Sequence, residues 1–99
     1  MNTTLFVQKT LPLRQVTTTG RDGQQRVINF KGLLLTDGVN TVVCEAAGDQ
    51  AAVVEGMQLQ PGDMVGVVLH FDVSETTGED GSTRCWQHCR LLKIGRMTV

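Results

Sequence analysis

The chain has 99 residues, 40% of them hydrophobic and 19% charged, with a formal net charge of −1. This length suits one domain with one core, here residues 1–99, and the charge gives no general attraction for nucleic acid while permitting a locally basic face. No apolar run spans a membrane, no secretory signal is recognisable, and three cysteines are too few for a disulfide framework, so we expect a cytoplasmic protein.

Valine, threonine and leucine are abundant, and turn residues at short intervals indicate five strands. Their predicted bounds are 5–17, 26–35, 41–46, 64–75 and 84–94. The first strand should bend at Pro12, because proline is tolerated at strand edges and bulges. A short helix over 50–55, capped by Asp49 and ended by Gly56, is predicted before the fourth strand.

The order of these elements predicts the fold. Five strands with one short helix between the third and the fourth is the order of the OB-fold, a small Greek-key barrel. The fourth strand supports a half-buried sheet, because its apolar residues alternate strictly. These residues are Val65, Val67, Leu69, Phe71 and Val73. An open five-stranded α+β sheet is the other architecture that fits the order.

The stretch RCWQHCR contains two of the three cysteines, a histidine and the only tryptophan. On a strand, Cys85 and Cys89 lie on one face and His88 on the other, because successive side chains alternate. The two cysteines are then about 13 Å apart, which is too far for a shared zinc ion or a mutual disulfide. Strand geometry thus argues against a metal site and predicts that both cysteines face inward.

The opposite face of the same strand suits nucleic acid. It carries Arg84, Trp86, His88 and Arg90, an aromatic ring flanked by cations. Stacking of a base on an aromatic ring and contacts to phosphate are the two main contributions to single-strand binding. The competing interpretation is that Trp86 packs in the core or a subunit interface while the arginines are merely solvated.

In pattern, the chain resembles the bacterial single-stranded-DNA-binding proteins of the OB-fold type over residues 5–94. The matching stretches are TTTGRDGQQRVINFKGLLL, NTVVCEAAGDQAAVV and LQPGDMVGVVLHFDVSETTGEDGSTRCWQHCRLLKI. The chain departs from that family in having few aromatic residues, in reading TVVCEAAG where the third strand usually has an aromatic, and in lacking an acidic tail. The resemblance therefore implies a divergent, single-domain relative.

Together with the residues, this resemblance implies binding of single-stranded DNA, or of RNA, without catalysis, metal or cofactor. The predicted binding residues are Lys9, Arg14, Lys31, Arg84, Trp86, His88 and Arg90. A homodimer or homotetramer is expected, because the N-terminal strand offers a free edge. Two rivals stay open. One is a protein-interaction module that buries Trp86 and Leu33–Leu35 against a partner, and the other is a thiol or metal site.

Overall fold

The computed structural model describes residues 1–97 as a mostly β structure with one short helix. The elements are β1 (Asn2–Thr10), β2 (Arg14–Thr19), β3 (Gln25–Thr36), β4 (Thr41–Ala47), α1 (Asp49–Met57), β5 (Met64–Thr77) and β6 (Thr83–Arg96). Residues 98 and 99, which the predicted domain includes, lie outside the described residues. Within residues 1–97, no helix has the length and apolar character needed to cross a membrane.

The predicted first strand is two strands, so the sheet has six strands and not five. β1 ends at Thr10, and β2 begins at Arg14 after a break that contains Pro12. At the break, the Leu11 amide donates to the Gly32 carbonyl oxygen at 3.0 Å. A Cβ on Gly32 would lie 2.8 Å from Leu11 Cδ1, so the Leu11 side chain occupies the space that this glycine leaves open. The bend expected at Pro12 is therefore a full interruption.

The helix lies where it was predicted, but both of its predicted ends are wrong. Its N-cap is Gly48, with φ 63°, and no side chain caps the first turn. Asp49 is instead the first helical residue, where its charge favours the positive end of the helix. The helix continues through Gly56, and its C-cap is Gln58 in the left-handed conformation, with φ 49°.

The strands pair around a ring. The sheet order is β1–β5–β6–β4–β3–β2, and an additional pairing joins β1 to β3. The path β1–β5–β6–β4–β3 thus returns to β1. The parallel step between β4 and β6 consists of one residue pair, Glu45 with Arg90. We call this step the β4–β6 seam.

The core fills the inside of the ring. On β3, Leu33 and Leu35 are 0% exposed and lie opposite Cys44 and Val42 of β4. Helix α1 covers one end of the core with Ala51 and Val54. The buried apolar residues are Leu5, Val7, Leu33, Leu35, Cys44, Ala46, Ala51, Val54, Leu59, Val65, Val67, Leu69 and Leu91.

Two hairpins extend beyond the core. The β2–β3 arm comprises residues 14–29, and the β5–β6 arm comprises residues 70–89; nearly all of their side chains are exposed. The alternation predicted in β5 therefore continues past the core, where Phe71 is 38% and Val73 is 59% exposed. The arms explain a radius of gyration of 15.9 Å, against about 13 Å for a compact chain of this length.

Candidate nucleic-acid interface

The register of the β5–β6 arm fixes which side chains share a face, because directly paired residues point to the same side of a sheet. Trp86 pairs with Ser74, His88 with Asp72, and Arg90 with His70. Arg84 follows the same alternation and pairs with Thr76. The four residues predicted to share a face of the fifth strand therefore do so.

Arg90 continues this face onto the main body of the sheet through the β4–β6 seam. It pairs with Glu45, which in turn pairs with Gly32 of β3, and both lie on the side away from the core. Two further members of this side are Phe30 on β3 and Arg14 on β2, which are directly paired. We call the outward side of β2, β3, β4 and β6, including this side of the β5–β6 arm, the outer face.

Arg14 is held at the middle of the outer face by two contacts. Its guanidinium carbon lies 4.7 Å from the centre of the Phe30 ring, and its Nη2 donates to Glu45 Oε2 at 3.1 Å. A guanidinium over an aromatic face is attracted by the ring quadrupole, and the planar group also suits phosphate recognition. Glu45 thus stands between two cations, Arg14 on one side and Arg90 on the other.

Lys9 lies at the border of the outer face. It is exposed, and it pairs with Leu34, which pairs with Val43 on the next strand. A register shift between Val7 and Lys9 sets this orientation. Residues two apart in a regular strand share a side, but the unpaired residue between these two leaves Val7 inward and Lys9 outward. Five of the seven predicted binding residues therefore lie on the outer face, Lys9 lies at its border, and all six are exposed.

Lys31 is the exception. It occupies the inward side of β3, is 8% exposed, and its Nζ lies 2.8 Å from Glu55 Oε2 of helix α1. A buried amine needs such a partner, because an unpaired charge away from water is costly. Lys31 therefore serves to attach α1 to the sheet and is not available to a ligand on the outer face.

Trp86 is not in the core. It is 46% exposed and lies on the outer face of the projecting arm, between Arg84 and His88 in the alternation. The neighbouring His88 Nε2 forms a 3.0 Å hydrogen bond with Ser74 Oγ, and Ser74 is the residue paired with Trp86. The packed interpretation of Trp86 thus does not hold within one copy of the chain.

Sequence reasoning missed several members of the outer face, among them Phe30, Glu45, His70 and Asp72. The alternation of β3 grouped Phe30 correctly with Ile28 and Leu34, but which group faces the core depends on the strand partners. Glu45 and His70 join the surface only through their pairing with Arg90. A search for outward residues opposite the predicted cations would have found them.

Replacing Glu45 by Gln should raise the affinity for a single-stranded oligonucleotide about two- to fivefold at low salt, since exposed charge pairs are worth ~0.2–1 kcal/mol. The substitution frees Arg14 from its ion pair and removes repulsion between Glu45 and phosphate. Fluorescence anisotropy with labelled oligo(dT) measures the change. Asp49→Asn removes an equal charge from the start of α1 and should leave the affinity unchanged. An equal gain in both variants would mean that net charge, and not this site, is responsible.

The three cysteines occupy three different environments. Cys44 is buried in the core, and Cys89 is half-buried and packs against the core, as an inward residue should. Cys85, which had also been predicted to face inward as a core residue, is exposed on the arm. Cys85 does lie on the inward side of β6, as predicted. It is exposed because no second layer of structure covers that side of the arm. Within residues 1–97, no three His, Cys, Asp or Glu side chains are grouped closely enough to hold a metal ion.

These environments predict an order of thiol reactivity. Burial raises the pKa of Cys44 to about 12, and burial also raises the pKa of Cys89. Because the thiolate is the reactive form, a chromogenic disulfide reagent at mildly alkaline pH should modify Cys85 first, Cys89 slowly and Cys44 only after unfolding. Peptide mapping of the modified protein identifies each site. Rapid modification of Cys44 in the native protein would contradict its burial.

Part of the surface predicted for a protein-interaction module is buried in the core. Leu33 and Leu35 belong to the core of the same chain, and only Leu34 points outward between them. A partner could therefore bury Trp86 but not the three leucines together. The apolar residues left to such a partner on the outer face are Val43, Trp86 and Leu92, which are exposed.

No protein-family model matches the chain, and no curated protein matches it. Among solved structures, the chain is similar to the second OB-fold domain of replication protein A from Methanococcus maripaludis. The TM-score is 0.58 at 17% identity, and the match covers 97% of this chain and 81% of that chain. At this identity the similarity concerns the fold, and it does not single out the bacterial proteins that the sequence resembles. The chain has an OB-fold, in which the strands and the helix surround one core and two long hairpins extend beyond it.

Proposed function

We propose that this protein binds single-stranded DNA along its outer face, without catalysis. One observation carries the proposal: exposed cations and the only tryptophan lie on one continuous side of the sheet, joined by the pairing of Arg90 with Glu45. The cations are Lys9, Arg14, Arg84 and Arg90. A near-neutral chain can bind a polyanion when its positive groups are gathered in this way.

The chemistry of the surface matches an unpaired strand better than a duplex. Trp86 and His88 present flat rings on a projecting ribbon, where an unstacked base can lie against them. The guanidinium groups of Arg84 and Arg90 flank those rings and suit the phosphates between successive bases. Phe30, beneath the Arg14 guanidinium, offers a second aromatic contact nearer the centre of the sheet.

The position of the surface in the fold supports the same proposal. OB-folds bind oligonucleotides on the face of their second and third strands and with the two hairpin loops beside it. Here those strands are β3 and β4, because β1 and β2 together take the place of the first strand. The two loops correspond to the β2–β3 arm and the β5–β6 arm.

The test is a titration of fluorescent oligo(dT) at low and moderate salt. If four cations each neutralise one phosphate, the logarithm of the association constant should fall against the logarithm of salt with a slope of about −3. Oligo(U) in parallel distinguishes DNA from RNA. The absence of binding in the micromolar range at low salt would rule the proposal out.

A protein partner on the same face is the second candidate, favoured by the exposed apolar residues beside the cations. Salt dependence separates the two functions, because burial of Trp86 and Val43 against a protein would vary little with salt. Self-association also stays a prediction. The outer edge of β2 has no partner strand within residues 1–97, which leaves it free to pair.

A further inference from the structure

The tips of the two arms are the same five-residue turn. Residues 20–24 read GRDGQ and residues 78–82 read GEDGS. In the first, the Gly20 amide donates to the Gln24 carbonyl oxygen at 2.9 Å and the Gly23 amide to the Gly20 carbonyl oxygen at 3.0 Å. In the second, the corresponding Gly78 and Gly81 bonds are 2.7 Å and 3.0 Å. We call these turns the β2–β3 tip and the β5–β6 tip.

The aspartate has the same role in both tips. Asp22 Oδ1 accepts from the Gln24 amide at 3.0 Å, and Asp80 Oδ1 accepts from the Ser82 amide at 3.0 Å. The fourth residue of each turn is a glycine with positive φ, 77° in one and 83° in the other. The two backbones therefore present their second residue in the same way, at the apex of an exposed hairpin.

That second residue has opposite charge in the two tips. It is Arg21 in the β2–β3 tip and Glu79 in the β5–β6 tip, and both are exposed. The difference extends along the arms. The β2–β3 arm carries three arginines and one aspartate, a net charge of +2, while the β5–β6 arm carries four acids and one arginine, a net charge of −3.

The arms leave the sheet at opposite ends. In the β3–β4 ladder, Phe30 pairs with Ala47 at one end and Thr36 with Thr41 at the other. The β2–β3 arm continues past the Phe30 end. Since β6 is parallel to β4, its residues before Arg90 run toward the Thr41 end, where the β5–β6 arm projects. One molecule therefore cannot bring its own two tips together.

We propose that the arms of successive copies meet head to tail, with the basic β2–β3 arm of one copy against the acidic β5–β6 arm of the next. Such a contact uses two different surfaces and does not close on itself, so it extends into an open row of molecules. A symmetric pairing of like arms is disfavoured, because it would set arginine against arginine or glutamate against glutamate. An open row is the arrangement that a long single strand can accommodate.

This inference rests on the proposed function, because the bound DNA strand is what brings several copies of the protein close together. Exposed ion pairs are weak and are screened by salt, so free molecules should not assemble at ordinary concentrations. Copies bound side by side on one strand meet at a high effective concentration, at which weak contacts become significant. The row then appears as cooperative binding to long strands and is absent on strands that hold one copy.

The experiment reverses the charge of one arm at a time. One variant is Arg21→Glu with Arg26→Glu, and the other is Glu75→Lys with Glu79→Lys; all four side chains are exposed. Each variant is measured on a short oligo(dT) that holds one copy and on long poly(dT), and the ratio of the two affinities gives the cooperativity. Each reversal should lower that ratio about fivefold, in line with the weakness of exposed pairs.

Mixing the two variants supplies the sharpest outcome. In an alternating row, every contact joins a reversed arm to a reversed arm or a native arm to a native arm, so all contacts are attractive again. The equimolar mixture, and a single chain with all four substitutions, should therefore show a ratio well above that of either variant alone. Asp49→Lys, which reverses an exposed charge at the start of α1, outside both arms and the outer face, should leave the wild-type ratio unchanged.

Unchanged cooperativity in the single-arm variants, or no recovery on mixing, would overturn the proposal. Failure of the wild type to bind even short oligo(dT) would instead remove the proposed function. In that case the contact is still tested by sedimentation velocity of the wild type and of the variants at high protein concentration and low salt. Association that appears in the wild type and in the mixture, but in neither variant alone, supports the proposed contact between arms of neighbouring copies. The absence of that pattern of association refutes the contact.

Discussion

Replacing Trp86 by Ala should lower the affinity for oligo(dT) about tenfold or more, since stacking of a base on an aromatic ring is worth ~1–3 kcal/mol. The indole is half-exposed on the outer face of the β5–β6 arm, with Arg84 and His88 beside it in the alternation. Its loss removes the largest flat apolar surface of the interface and none of the charge. Titration at fixed low salt measures the effect, and the salt slope should stay that of the wild type.

Two variants control for the fold of the arm. Trp86→Phe keeps a stacking ring and should recover most of the affinity. Val73→Ala removes an exposed apolar side chain from the opposite side of the arm and should change the affinity little. If Trp86→Ala binds as tightly as the wild type, the protein can still bind DNA, but Trp86 does not stack a base.

Replacing Leu33 by Ala should lower the free energy of unfolding by about 2–5 kcal/mol, the range for truncating a buried leucine. Leu33 is 0% exposed and lies opposite Cys44 inside the ring of strands. Truncation removes apolar contacts and leaves a cavity that the surrounding β-ladders cannot easily fill. Urea unfolding followed by tryptophan fluorescence or circular dichroism measures the change.

The neighbouring Leu34 provides the matched control. The same substitution one residue later removes an outward side chain, which is only half-buried, so Leu34→Ala should cost much less. Equal losses would mean that the assignment of β3 faces is wrong. A large loss for Leu34 with a small one for Leu33 would favour the leucine surface of a protein-interaction module.

The sequence was sufficient to predict the order of the elements, because turn residues and alternation are local signals. Asp-Gly pairs mark the hairpins of the β2–β3 arm and of the β3–β4 connection, and the predicted strand bounds lie within three residues of the observed ones except at the first strand. There Pro12 was identified as a bend, but the full break depends on Leu11 packing over Gly32. That contact joins distant parts of the chain and leaves no local pattern.

Which side of each strand faces the core was the part that local patterns left open. The alternation of β3 separates Lys31 from Phe30 correctly, yet it is silent on which of the two points inward. The answer comes from β4 and α1, which place Glu55 within 2.8 Å of Lys31. The same lack of tertiary information led Cys85 to be predicted as a core residue, although the arm extends beyond the core.

The β4–β6 seam has a consequence for how the molecule moves. Both neighbouring hairpins are long ladders, whereas the seam is one residue pair, so separation there disrupts the fewest backbone hydrogen bonds. Local opening should begin at this line, and the amides beside Glu45 and Arg90 should exchange with solvent sooner than those in the middle of either hairpin. Because the outer face crosses the same line, the distance between its two halves can change while each half stays intact. The proposed DNA-binding surface would then consist of two halves that can move relative to each other about the seam, and a strand bound across both halves would keep the seam closed.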